Sequence, residues 1–239
     1  MKIARTNIAD EVSNWLLECI RSGRYQSGEK LPSVEELAVQ LNVGRSSVRE
    51  ALRQLQALGW VTLQQGKGTF VSAPKVQIGS ALASFSESVR ARNMQPGGVI
   101  LRREVVPATE AVACELQIDT DEPVNLLVRL RLANGEPVAY ETSYTPNRLF
   151  PDLLDQPWTV ETSLYQLLSE TYGVRFLYAV HTLFPIQIDQ TLSQLLQLPL
   201  GSPAIKLKST LYDQDHQPVE IAFDVYHPDR YQYTAVLKR

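Results

Sequence analysis

Along the first quarter of the chain, apolar residues recur at helical spacing. From Asn7 to Arg21, residues Ile8, Val12, Trp15, Leu16, Cys19 and Ile20 share one face, which predicts an amphipathic helix. Gly23 stands where a left-handed residue ends such a helix. Pro32 and Ser33 open a second helix, with Ser33 and Glu36 spaced as a capping box and Leu37, Ala38 and Leu41 on the buried side. Asn42-Val43-Gly44 reads as a turn. Ser46 is then the expected cap of a third helix running to Gly59, with Val48, Ala51, Leu52, Leu55 and Leu58 inward. The period now changes. Trp60 to Leu63 and Thr69 to Val71 alternate as two short strands around Gln64-Gln65-Gly66-Lys67-Gly68. Helix, turn, helix and hairpin in that order predict a winged helix-turn-helix.

Beyond this point alternation dominates. Ser72 to Val76, with Pro74, reads as a linker, and Ile78 to Arg92 as a helix. Strands are expected at Val99–Val106, Val124–Leu132, Val138–Tyr144, Arg175–Phe184, Ala204–Tyr212, Val219–Tyr226 and Tyr231–Leu237. Helices are expected at Glu110–Leu116, Ser163–Tyr172 and Asp189–Leu198. Asn134-Gly135 and the segment Asp213–Pro218 mark hairpins. The expected class is α+β, with a mostly antiparallel sheet behind the N-terminal helices. A loose duplication relates Ala113–Pro123 to Leu195–Pro203, each followed by two strands, the second carrying Glu141 or Glu220. Two related halves would place these carboxylates comparably around a shared cleft.

Length and composition fit two domains: 1–71, a linker at 72–77, and 78–239. The net charge of −3 gives no sign of a nucleic-acid partner, but its distribution does. Residues 1–75 hold ten Lys/Arg against seven Asp/Glu, and the rest hold thirteen against nineteen. A basic head on an acidic body suits a DNA reader. No leader pattern and no membrane-length apolar run stands in the sequence, so cytoplasmic residence is expected. Cys19 falls on a buried stripe, Cys114 stands apart from it, and His181, His216 and His227 form no motif; no metal and no cofactor is expected.

Arg45, Ser46, Ser47 and Arg49 cluster at the start of the third helix, where cationic and hydroxyl donors meet phosphates and guanine edges. Lys67 between glycines reaches a phosphate or the minor groove. Arg129 and Arg131 stand two apart on a strand and therefore share a face. Two readings are open for this pair: ion pairing with Glu141 and Glu220, or capture of an anion.

Residues 8–71 resemble the winged-helix domain of the GntR family. The words are Gly23-Arg-Tyr-Gln-Ser-Gly28, Leu31-Pro-Ser33, Glu36-Leu-Ala38, Val43-Gly-Arg45, Val48-Arg49, Ala51-Leu52, Gly59 and Gly66-Lys-Gly-Thr-Phe-Val71. The resemblance implies DNA contacts from Ser33, Arg45, Ser46, Ser47, Arg49, Lys67, Gly68 and Thr69. Val34-Glu35 departs from the family's usual Glu-Arg, and an acid at this position implies weaker affinity or a shifted pose.

Residues 78–239 are similar to the UTRA effector domain of the HutC subfamily, whose fold resembles chorismate lyase. The words are Ala83-Ser-Phe-Ser-Glu87, Val128–Ala133, Gly135-Glu-Pro-Val138, Glu141-Thr-Ser-Tyr144, Ser163-Leu-Tyr165, Pro218-Val-Glu220 and Asp229-Arg-Tyr231. Tyr226-His227-Pro228 and Asn93 depart from the usual pattern. The resemblance implies a small anionic effector such as a sugar phosphate, held by Arg129, Arg131, Ser163 and Tyr165. Glu141 and Glu220 would accept from its hydroxyl or amine groups, with Ser86, Tyr226 and Tyr231 completing the set. It further implies a homodimer on a palindromic double-stranded operator. Two alternatives stay open: a second domain that docks a signalling protein, and a lyase-like enzyme.

Overall fold

In the computed structural model, which describes residues 7–72, 75–78 and 82–235, the chain divides into two units, Met1–Lys75 and Val76–Arg239. Pro74 of the expected linker and Leu237 of the expected last strand lie outside the described residues.

The first unit contains α1 (Ile8–Arg21), α2 (Val34–Leu41), α3 (Arg45–Ala57), β1 (Val61–Gln64) and β2 (Gly68–Val71). Each boundary has a local cause. Asn7 caps α1 through its side chain, and Ser33 and Glu36 form the reciprocal capping box of α2. Asn42 ends α2 in the left-handed conformation. That tight turn lets α3 start earlier than expected: Gly44, not Ser46, is the N-cap, and it offers no side-chain bond. Ser46 lies inside the first turn of α3. Val12, Leu16, Leu37, Val48, Ala51, Leu52 and Leu55 meet in one core, closed at the hairpin end by Trp60, Val61 and Val71. The segment Gly28–Leu31 pairs with β2 as well, through backbone bonds from Gly28 to Val71 and from Leu31 to Thr69. The wing is thereby anchored along both edges of β2.

The second unit is built on a six-stranded antiparallel sheet in the order β4 (Pro96–Pro107), β5 (Pro123–Ala133), β6 (Glu136–Pro146), β9 (Pro218–Tyr226), β8 (Pro203–Asp213) and β7 (Phe176–Gln187). Helix α5 (Glu110–Leu116) joins β4 to β5, and α7 (Gln190–Leu196) joins β7 to β8. Both helices take a side-chain N-cap, Thr109 or Asp189, and both end on a left-handed glutamine, Gln117 or Gln197. The duplicated words thus become two strand–helix–hairpin halves that meet at the β6–β9 seam. Helices α4 (Phe85–Arg90) and α6 (Leu164–Glu170) lie outside the repeat.

Two expectations need correction here. Val76 and Gln77 of the expected linker, with Ile78 of the expected helix, form strand β3 (Val76–Ile78), parallel to β10 (Tyr231–Tyr233). The helix begins only at Phe85, capped by Ser84 and Glu87. Three apolar-polar-apolar residues satisfy either period, and pairing with a distant strand decided between them.

Candidate DNA-reading face and effector chamber

On the first unit, the exposed side chains of Arg45, Ser46 and Arg49 stand along the outer side of α3, with Ser47 half-buried. Arg53, one turn further on, pairs at 2.8 Å with Glu50. Arg21 and Arg24 lie over the rings of Trp60 and Trp15 respectively, at 5.4 Å. Arg45 and Arg49 make no ion pair among the described residues, which leaves their guanidinium donors available to a polyanion. Lys67 is exposed at the wing tip. Gly68 beside it has φ +116°, and a Cβ there would come within 2.7 Å of the Lys30 side chain. Lys30 therefore lies against the wing close to Lys67 and adds a second cation. Ser33 is exposed, though its hydroxyl serves the α2 cap; Thr69 is buried, pointing away from the open face of the wing.

The second unit encloses a chamber of about 70 Å³ over the β6–β9 seam. Arg129, Arg131, Glu141, Ser209, Glu220, Asp224 and Tyr226 line it from the sheet, with Ser84 and Phe85 from the start of α4 and Ser163 and Tyr165 from α6. A wider groove of about 360 Å³ adjoins it through Leu82, Ser84, Ser163 and Tyr165. Period-two alternation explains the sheet's contribution. Arg129 faces Glu141 across β5–β6, Glu141 faces Asp224 across β6–β9, and Glu220 lies on the same side of β9.

Pairing within the chamber is uneven. Arg129 gives Nε and Nη2 to a single Glu141 oxygen and Nη1 to the carbonyl of Thr162, at 3.0 Å, and lies over the Trp158 ring. The ion-pair reading therefore holds for Arg129 and Glu141. Arg131, 2% exposed, bonds Ser86 Oγ at 3.1 Å and lies 4.6 Å from the Phe85 ring centre; its Nε has no partner. Burial, with Arg129 beside it, lowers its pKa to about 10.

Glu220 accepts from Ser143 at 2.6 Å through one oxygen, and Asp224 accepts from Tyr226 at 3.0 Å through one oxygen. The other oxygen of each carboxyl, and Ser209 Oγ, are buried without a hydrogen-bond partner. Burial raises both carboxyls: Glu220 to about 7, and Asp224 well above the usual range, with Glu141 adding to the effect. Glu141 is held low instead, since the arginines outweigh its burial.

The remaining expected residues divide. Ser86 braces Arg131 from behind, and Ser163 spends its hydroxyl as the cap of α6. Tyr165 reaches the chamber, its ionisation suppressed first by burial and then by Glu220. Tyr231 does not reach it. It stacks behind Tyr226 with ring centres 3.7 Å apart. Glu141 and Glu220 share the cleft but are not equivalent: counted along the matching hairpins, Glu141 corresponds to Ala222 and Glu220 to Ala139.

Comparison with known proteins adds to this geometry. Residues 8–71 match the model of the gntR family of bacterial regulatory proteins, and residues 91–232 match the UTRA domain. The chain belongs to the GntR family. Its helix-turn-helix and UTRA pairing is that of the HutC subfamily, and it is a transcriptional regulator. The repressor NagR of Bacillus subtilis is 31% identical over 92% of this chain and 90% of its own length. The mannosyl-D-glycerate transport/metabolism system repressor MngR of Escherichia coli is 28% identical, over 96% of this chain and 95% of its own. The crystal structure of PhnF from Mycobacterium smegmatis aligns with a TM-score of 0.70 at 28% identity, over 97% of this chain and 99% of that one. Among the described residues, no helix is long and apolar enough to cross a membrane.

Sequence reasoning about this GntR regulator missed Lys30, Ser209 and Asp224. Asp224 was within reach, since it shares the alternating face of β9 with Glu220 and Tyr226. Lys30 was not, because its proximity to Gly68 arises from a pairing between Lys30 and Phe70.

Proposed function

We propose that the chain is a homodimeric repressor that grips a palindromic operator through Arg45, Arg49 and Lys67 and responds to a small anionic effector in the UTRA chamber. Residues 1–71 read DNA, residues 72–77 lead out of the reading head, and residues 78–239 bind effector and partner copy. The carrying observation is the buried chamber itself. Arg131 Nε, Ser209 Oγ and one oxygen each of Glu220 and Asp224 are polar atoms sealed from solvent without partners. Such atoms cost stability unless a ligand or ordered water meets them. A folded protein that retains several of them in one place is organised to bind there. The adjoining groove brings the available space into the range of small-ligand sites. The naming of MngR for a sugar-acid system supports an anionic, carbohydrate-derived effector.

Dimerisation is supported by the sheet's edges. β4 and β7 are twelve-residue edge strands exposing Val99, Leu101 and Val105, and Leu177, Val180, Leu183 and Phe184. Long apolar edges are usually covered. A second copy covers them here, and two reading heads then match two half-sites.

Fluorescence anisotropy with the DNA upstream of the chain's own operon, titrated with a panel of sugar phosphates, tests this reading. Specific binding that one panel member reverses is expected. Operator binding indifferent to every small anion would overturn the effector assignment, and light scattering that reports a monomer would overturn the dimer.

A further inference from the structure

The second unit begins at Val76, the first residue of β3, so β3 is the element that receives the chain arriving from the reading head. Its own pairing is slight. It makes three rungs with β10, Tyr231 opposite Val76, Gln232 opposite Gln77 and Tyr233 opposite Ile78, apart from the six-stranded sheet. A two-stranded ribbon is marginal in water, and parallel pairing is the weaker kind. The hold on β3 therefore depends on packing. Val76 is fully buried in one cluster with Phe85, Tyr226 and Tyr231, and its N–H donates to the Arg230 carbonyl at 2.9 Å.

Strand β10, which pairs with β3, also touches the chamber wall twice. Tyr231 lies flat on Tyr226, with the two ring planes 14° from parallel. The Tyr233 hydroxyl is 3.2 Å from His181 Nδ1. Both Tyr226 and His181 line the chamber, and the Tyr226 hydroxyl is the donor to Asp224. The Tyr231 hydroxyl, by contrast, is buried with no hydrogen-bond partner among the described residues, so the ring and not its polar end holds this residue in place. A line of contacts thus runs from Asp224 through Tyr226 and Tyr231 to Val76. Two rings stacked this closely in a packed core do not turn independently: when Tyr226 rotates, Tyr231 follows or the stack opens.

We infer that Tyr231 is the positioning residue that passes the state of the chamber to β3, and so to the segment leading to the reading head. This rests on the effector-chamber reading above. In the closed state Tyr226 is bonded to Asp224 and stacked on Tyr231, and β3 is paired with β10. In the open state an effector group has taken the place of the Tyr226 hydroxyl on Asp224, the stack has parted and β3 is released. A weakly paired strand supplies the element with two arrangements that such coupling requires. The effector shifts the balance because the contact with Asp224 is open to it in one state only.

The test uses the full chain without ligand and reads two quantities: hydrogen exchange at the Val76 amide, and affinity for the upstream DNA. Tyr231→Leu is expected to speed Val76 exchange at least tenfold and to weaken DNA binding at least fivefold, with the amides of β5 within twofold of the parent. Tyr231→Phe keeps the ring and should leave both quantities within twofold. Asp224→Leu, placed at the chamber end, should move both in the same direction as Tyr231→Leu, and in the Tyr231→Leu background it should add no more than twofold. Unchanged Val76 exchange in Tyr231→Leu overturns the inference. So does faster exchange with DNA affinity unmoved, which would make the stack purely structural, and so does additivity of the two leucine substitutions. If a leucine variant loses protection in β5 as well, Tyr226→Phe decides, since it retains both rings and removes only the bond to Asp224. It should speed Val76 exchange about threefold, and no change there overturns the inference. A chain that passes these tests yet binds no small anion keeps the coupling and loses the effector assignment instead.

Discussion

The two units of this regulator hold their cations in opposite ways. On α3 and the wing, Arg45, Arg49 and Lys67 are exposed and make no ion pair among the described residues, and almost nothing in the fold depends on them. In the UTRA chamber, Arg129 and Arg131 are buried; one is bound to Glu141 and the other braced by Ser86 and Phe85. An exposed cation is a group for a partner alone. A buried one is part of the fold first, and its ligand must fit what the fold leaves over. Function in the first unit can therefore be removed without touching stability, whereas in the second the two move together.

The strongest test of that contrast is Arg129→Ala. It strands Glu141 as a buried, uncompensated carboxylate, so a loss of about 3–5 kcal/mol of stability is expected in chemical denaturation. A variant as stable as the parent would mean that Arg129 is held for the ligand after all. Glu220→Gln comes next. A carboxyl raised to about 7 keeps its full stabilising contribution below its ordinary value near 4.5, and that contribution is lost as pH climbs toward 7. The parent should lose about 3 kcal/mol over this window, at about 1.4 kcal/mol per pKa unit, and Glu220→Gln should flatten the profile. An unchanged slope would show that Glu220 titrates as an ordinary exposed acid.

On the reading head the effects are smaller and confined to DNA. Arg49→Ala should weaken operator binding by about 1–3 kcal/mol and relax base preference, with Tm unmoved. Lys67→Ala should weaken all sequences alike and reduce the salt slope by about one. Gel shifts indistinguishable from the parent for both variants would remove α3 and the wing from the interface.

The same contrast explains what was legible beforehand. The helices and wing of the first unit follow from local rules, apolar periodicity, the Ser33–Glu36 box and turn glycines; these rules misplaced element ends, above all where Gly44 displaced Ser46 as the cap of α3. Strand β3 was missed because its partner, β10, lies at the other end of the domain. In the chamber, the residue types were readable but their pairing was not. Whether Arg129 meets a ligand or Glu141 depends on a rung of the β5–β6 ladder, and the place of Asp224 opposite Glu141 depends on a seam between distant segments. A strand's own sequence fixes which side chains share a face, while register decides which of them touch.

The β6–β9 seam carries a last consequence, for how such a pocket changes its preference over time. Its two sides come from separate hairpins that repeat one plan, so each can drift while the other is preserved. On the proposed effector reading, replacements on β8 and β9 would reshape one wall of the chamber without disturbing the Arg129–Glu141 pair on the other. A lineage of regulators built on this sheet can acquire new signals by rewriting half a site.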